Sequence, residues 1–160
     1  MRMLTGEIIQ QQLRTAGIKA DLRVIEWSSL VHQFIDKRRF EAVLLGWSLG
    51  RDPDQYALWH SDQTREGQYN FLSYSNPLVD TLLDEGRTTF DQARRTAIYH
   101  RIHRELARDL PCVFLYYPES LVAIHSRFHG PEVAPAGIGW NFHTWWVAPQ
   151  DTRYPVTYEP

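Results

Sequence analysis

Cysteine is nearly absent from this chain of 160 residues. The single one, Cys112, excludes an internal disulfide and any site built from several thiolates. It stands in the apolar run Cys-Val-Phe-Leu-Tyr-Tyr, where a small buried side chain is the expected use rather than a nucleophile. No apolar run approaches the ~18 residues of a membrane span, and the stretch 1–13 carries neither the apolar core nor the cleavage site of a signal peptide. No charge predominates either. Seventeen Lys and Arg stand against 19 Asp and Glu, a formal net charge of −2. That balance removes the electrostatic case for nucleic acid or for an anionic membrane surface. A Gly-rich phosphate loop, an HExxH motif, internal repeats and low-complexity segments are all missing, so neither a cofactor nor a metal is expected.

What the chain has in quantity is aromatic side chains, at 13%, with six tryptophans among them. That composition suits a stacking surface and an ordinary core equally well. Along the chain, Leu4, Ile8, Leu13 and Ala16 keep close to a helical repeat, with Gly17 as a C-terminal stop. Residues 18–27 alternate apolar and polar positions with the period of a half-covered strand. Ser28 is placed to cap a second helix carrying Leu30, Val31, Phe34 and Ile35. Residues 42–47 then form a short continuous apolar run, as expected of a strand covered on both faces. Helix, strand, helix, strand implies an α/β layer structure.

Residues 48–75 lack any periodicity and are expected to form a long loop. Helix resumes with Asn76 as cap, Pro77 in the first turn and Leu78, Val79, Leu82 and Leu83 facing inward. A longer helix over 91–110 carries Ala97, Ile98, Ile102 and Leu106 and ends at Pro111. Two further strands are expected at 112–118 and 121–126, joined by a turn around Pro118, Glu119 and Ser120. The last ten residues look like a tail.

Several residue groups invite a chemical reading. Asp52 and Asp54 are two carboxylates, the number a glycosidase uses. Across one proline, however, they are held by local geometry, and Asp-Pro is a frequent turn initiator. His100 and His103 share a helix face, but no third ligand accompanies them and Arg101 and Arg104 repel a cation, so surface histidines are expected. Gly46-Trp47-Ser48-Leu49-Gly50 fits GxSxG literally, which makes a serine hydrolase with Ser48 as nucleophile the rival from another class. A nucleophile elbow needs a helix to follow at once, whereas Asp52-Pro53 makes a turn. The aromatic residues of the stretch 47–74 lie where α/β sheets put ligands, beyond the carboxyl end of a strand. The residues favour a binding surface over an active site.

The order of elements and motifs also resembles a known family. The helix ending in Ala-Gly-Ile-Lys-Ala-Asp-Leu, the Gly46-Trp47 pair after an apolar strand, Asp52-Pro53-Asp54, and Tyr-Ser-Asn-Pro-Leu-Val-Asp-Thr-Leu-Leu-Asp-Glu-Gly from Tyr74 are together similar to the extracellular solute-binding proteins of family 5. These are the peptide-binding components of bacterial ABC importers. The resemblance implies an α/β, periplasmic-binding-protein type II-like C-terminal lobe, partial, with a mixed sheet flanked by helices over residues 1–147, and a tail over 148–160. It implies a solute, by default an oligopeptide, as ligand, importer permease subunits as partners, and a periplasmic or membrane-anchored extracellular location for the parent protein. A sensor lobe of a transcription regulator is a further alternative. The ligand-facing residues implied are Trp47, Ser48, Leu49 and Gly50, joined by Asp52, Tyr56 and Trp59. Peptide binders of the family place an aspartate three residues after that tryptophan to meet the peptide's α-ammonium. Here the position is Gly50, and Asp52 takes the role only if the loop is shaped differently. A lobe without its partner lobe is further expected to expose apolar surface and to self-associate.

Overall fold

The computed structural model describes residues 1–119 and 121–153. They separate into two compact units, Met1–Val113 and the chain from Phe114 onward. In the first unit, α1 (Arg2–Thr15) ends as the sequence predicts. The Gly17 N–H bonds to the Arg14 carbonyl at 3.0 Å and the Ile18 N–H to the Leu13 carbonyl at 2.9 Å, closing a Schellman motif on a glycine at φ +81°. The apolar stripe of α1 is only thinly covered. Leu22 packs its methyls against Gly6, while Leu4 and Ile8 stay exposed.

The second helix, α2 (Trp27–Ser29), runs directly into a π-helical turn, Leu30–Ile35. Its cap is Glu26, not Ser28. The Glu26 carboxylate accepts the Ser28 and Ser29 N–H groups at 2.8 and 2.9 Å, which holds that carboxyl below its ordinary pKa. The helix starts at Trp27, so Ser28 lies inside its first turn and Glu26 stands at the cap.

The core forms between α4 (Pro77–Thr88) and α5 (Gln92–Asp109) with the short α3 (Tyr56–Trp59) against them. Asn76 caps α4 as expected, its Oδ1 accepting from Leu78 and Val79. Val79, Leu82 and Leu83 of α4 meet Ile98, Tyr99, Ile102 and Leu106 of α5, all buried. Ala97, expected inside, is exposed, and its neighbour Tyr99 takes the interior place. Gly86 makes room for that ring, since a Cβ there would lie 3.0 Å from Tyr99 Cζ.

Four expected strands, at 18–27, 42–47, 112–118 and 121–126, do not pair into a ladder. Extended backbone is a local property, but a strand needs a neighbour for its N–H and C=O groups. Among the described residues, 19–25 and 42–51 make no backbone–backbone hydrogen bond. The loop expected over 48–75 contains α3 and a 3-10 turn, Ser61–Gln63.

The second unit holds the one ladder among the described residues, β1 (Phe128–His129) antiparallel to β2 (Trp146–Val147). Buried Asn141 ties it together by donating to the Gly130 carbonyl at 2.7 Å and accepting from Trp145 Nε1 at 2.9 Å. Of the expected turn at 118–120, Ser120 lies outside the described residues, as do residues 154–160 of the expected tail. No helix among the described residues is long and apolar enough to cross a membrane.

Candidate functional site

The stretch that leaves the apolar run at 42–47 has no regular secondary structure through residue 50. Trp47, Ser48, Leu49 and Gly50 are all exposed, and their backbone groups are free of backbone partners among the described residues. Trp47 is nevertheless seated. Its ring stacks on Phe71 at 5.6 Å and 25°, and buried Phe71 meets Phe40 edge to face at 6.1 Å. Tyr69 stands edge-on to Trp47 at 5.9 Å and 81° and is 61% exposed. Each such aromatic pair contributes about 0.5–1.5 kcal/mol beyond its buried area. Tyr69 and Phe71 were not singled out by sequence, and only their alternation about Asn70 within the loop hints at a common face.

Asn70 is what sets those two rings. Its side chain, 1% exposed, donates to the His60 carbonyl at 3.0 Å and the Tyr74 carbonyl at 2.9 Å, and accepts the Tyr74 N–H at 3.0 Å. Further side chains fasten the same loop. Asp80 of α4 takes the Ser61 N–H and hydroxyl at 3.0 and 2.6 Å. Asp109 of α5 accepts from Tyr74 Oη and Asn76 Nδ2, both at 2.7 Å. The hydrogen bond from Tyr74, then that from Asn76, holds the Asp109 carboxyl below its usual range, while burial and the same bond raise the Tyr74 hydroxyl. Arg38 reaches the carbonyls of Thr64 and Arg65 and donates to Ser73 Oγ at 3.1 Å. The long loop is therefore a fixed platform.

The acidic pair belongs to that scaffold. Asp52 Oδ1 accepts the Asp54 N–H at 2.9 Å, which is the turn expected of Asp-Pro. The same carboxylate takes a bidentate pair from Arg95 at 2.7 and 3.1 Å, and Arg95 Nε donates to the Gly86 carbonyl at 2.9 Å. Arg95 is the main reason that the Asp52 carboxyl titrates below its ordinary range. Asp54 pairs with Arg87 at 3.1 Å, and that guanidinium lies 4.3 Å over the Tyr56 ring. Tyr56 in turn stacks on buried His60 at 4.1 Å. Trp59 is a core residue, 4% exposed, with Nε1 bonded to Gln55 Oε1 at 2.8 Å. Of the seven residues singled out by sequence, Trp47, Ser48, Leu49 and Gly50 form one exposed strip. Asp52 and Tyr56 belong to the turn that follows it, tied to Arg95 and Arg87, and Trp59 lies within the core.

Ser48 does not sit on an elbow. The next helix starts only at Tyr56, and among the described residues no histidine or carboxylate hydrogen-bonds its hydroxyl. His100 and His103 are exposed on α5, and no group of three or more His, Cys, Asp or Glu among the described residues is arranged to hold a metal ion.

No family model matches the chain. Among curated proteins it is 34% identical over 142 residues, 88% of its length, to the oligopeptide-binding protein AppA of Bacillus subtilis. It is 28% identical over 136 residues to the probable di/tripeptide-binding protein 5 of Pseudomonas aeruginosa. The chain spans about a quarter of the length of these relatives, 26% in both cases. Among solved structures, that of AppA in complex with a nonapeptide matches 92% of this chain and 29% of its own, with a TM-score of 0.77 and 33% identity. The agreement establishes the expected fold, a partial α/β lobe of the type II-like kind.

Proposed function

Because this chain belongs to the family 5 solute-binding proteins, as one segment of their length, we propose that it supplies part of the ligand-facing wall of a peptide-binding component of an ABC importer. The observation that carries this reading is the strip Trp47–Gly50. It joins a half-exposed indole, seated on a buried ring, to irregular backbone whose hydrogen-bonding groups are free of backbone partners among the described residues. An extended peptide meets such a strip by adding main-chain hydrogen bonds, while pockets and rings select its side chains. The solved relative's nonapeptide complex and the peptide-binding names of the relatives support the same ligand class.

The role is capture, without chemistry on the solute. Asp52 and Tyr56, tied to Arg95 and Arg87, shape the turn that follows the strip, and the permease subunits of the importer receive the loaded protein. The protein works outside the cytoplasm, in the periplasm or anchored at the outer face of the membrane. Residues 1–147 act as the partial lobe and residues 148–160 as its tail. In such proteins a ligand is held between two lobes, so this segment alone binds weakly.

The test is ligand binding by saturation-transfer NMR, which reads weak complexes, with a mixed-sequence nonapeptide as probe. Saturable transfer that falls away in Trp47→Ala supports the assignment. Equal transfer to wild type and Trp47→Ala, or none to either, refutes it.

A further inference from the structure

Trp47 and Tyr69 share an open corner. The two rings meet at 81° and 5.9 Å, and both are exposed, at 46% and 61%. Neither position is left to chance. Trp47 lies on buried Phe71, and Tyr69 and Phe71 flank Asn70, whose three side-chain hydrogen bonds fix the backbone on either side. A rigid pair of exposed rings offers a flat group one face and one edge at little entropic cost.

The charges around the corner decide what kind of group it takes. The two carboxylates of the adjoining turn are already neutralised, Asp52 by Arg95 and Asp54 by Arg87. A cationic group brought here finds no unpaired carboxylate in this turn to meet it. A small polar group gains nothing from the rings.

From this we infer that Trp47 and Tyr69 form an aromatic corner that receives a flat, uncharged aromatic side chain of the bound peptide, with Tyr69 as a specificity-determining residue. The inference rests on the peptide-binding reading above. It adds to that reading a residue and a preference: aromatic over small polar or basic, at the position that meets the corner.

Three nonapeptides identical but for a central Phe, Ser or Lys test it against the 160-residue chain by saturation-transfer NMR. Wild type binds the Phe peptide best. Tyr69→Ala weakens the Phe peptide about three- to tenfold, the worth of one aromatic contact, and brings it level with Ser, whereas Tyr69→Phe keeps the preference. Tyr69 is exposed, so its replacement leaves the fold intact. If Tyr69→Ala equals wild type while Trp47→Ala loses the peptides, the corner is wrong and the peptide-binding reading stands. If wild type ranks Lys first or shows no preference, the corner is likewise wrong. If no peptide gives saturable transfer to wild type, the underlying reading fails and the corner with it.

Discussion

Replacing Asn70 by alanine removes three hydrogen bonds at one buried point. The amide donates to the carbonyls of His60 and Tyr74 and accepts the Tyr74 N–H, all at 2.9–3.0 Å. Each is worth about 1 kcal/mol net, so the loss starts near ~3 kcal/mol. The backbone groups left behind lie beside a side chain that is 1% exposed, which raises the cost where water does not enter, and lowers it where water does. The expected destabilisation is about 2–4 kcal/mol, read as a fall in Tm of roughly 5–15 °C for a chain of this size. Asn70→Asp refines the test. The carboxylate still accepts from Tyr74 but turns an acceptor toward two carbonyl oxygens, so its folded pKa rises above the unfolded value of about 3.9. Relative to wild type, the added penalty is then absent below that value and grows as pH rises through the interval up to the folded pKa. Urea unfolding followed by circular dichroism at pH 4 and pH 7 measures both effects. Asn70→Ala within 0.5 kcal/mol of wild type at pH 7, where values of that size are ordinary surface noise, would refute the claim that this side chain holds the loop.

Other perturbations follow from the same contacts. Gly86→Ala places a methyl 3.0 Å from Tyr99 Cζ, and the overpacking, typically 1–3 kcal/mol, outweighs the gain in helix propensity of up to ~1 kcal/mol; a lower urea midpoint is expected. Asp109 has a depressed folded pKa because of Tyr74 and then Asn76, so its contribution is present above the unfolded value and is lost as pH falls through the folded one. Asp109→Asn should therefore flatten the acid limb of a Tm-against-pH curve, and an unchanged limb counts against the pairing. Arg95→Gln removes the main cause of the low Asp52 pKa, so an NMR titration should find that carboxyl closer to its ordinary range. Val24, Trp27, Phe90 and Val113 are among the large apolar side chains left exposed, and light scattering of the concentrated chain should show association that weakens on dilution.

The helices of the core were legible because their signals are local. Asn76 before Pro77, the spacing of Val79, Leu82 and Leu83, and Gly17 after α1 each fix a feature within one turn of the chain. Leu110, left-handed at φ 47°, closes α5 where Pro111 follows. Near misses were also local. The second helix begins at Trp27, before Ser28, so Glu26 holds the cap, and Ala97 faces out while Tyr99 fills the space over Gly86. The expected strands failed for a different reason, since alternation specifies faces but not the neighbour that completes a ladder.

At the site, sequence by itself determined that the stretch after Gly46 is a turn-bounded, aromatic-rich segment, with Asp52-Pro53 as its corner, because a proline and an Asx side chain act on adjacent backbone. Only the tertiary structure decided which rings are available. Trp59 went to the core and Trp47 to the surface. Tyr69 stands beside Trp47 across 22 residues of chain because Asn70 bonds to His60 and Tyr74. Asp52 is committed to Arg95, 43 positions away. Side-chain identity says what a residue can bond to; the folded backbone says which of those partners arrives.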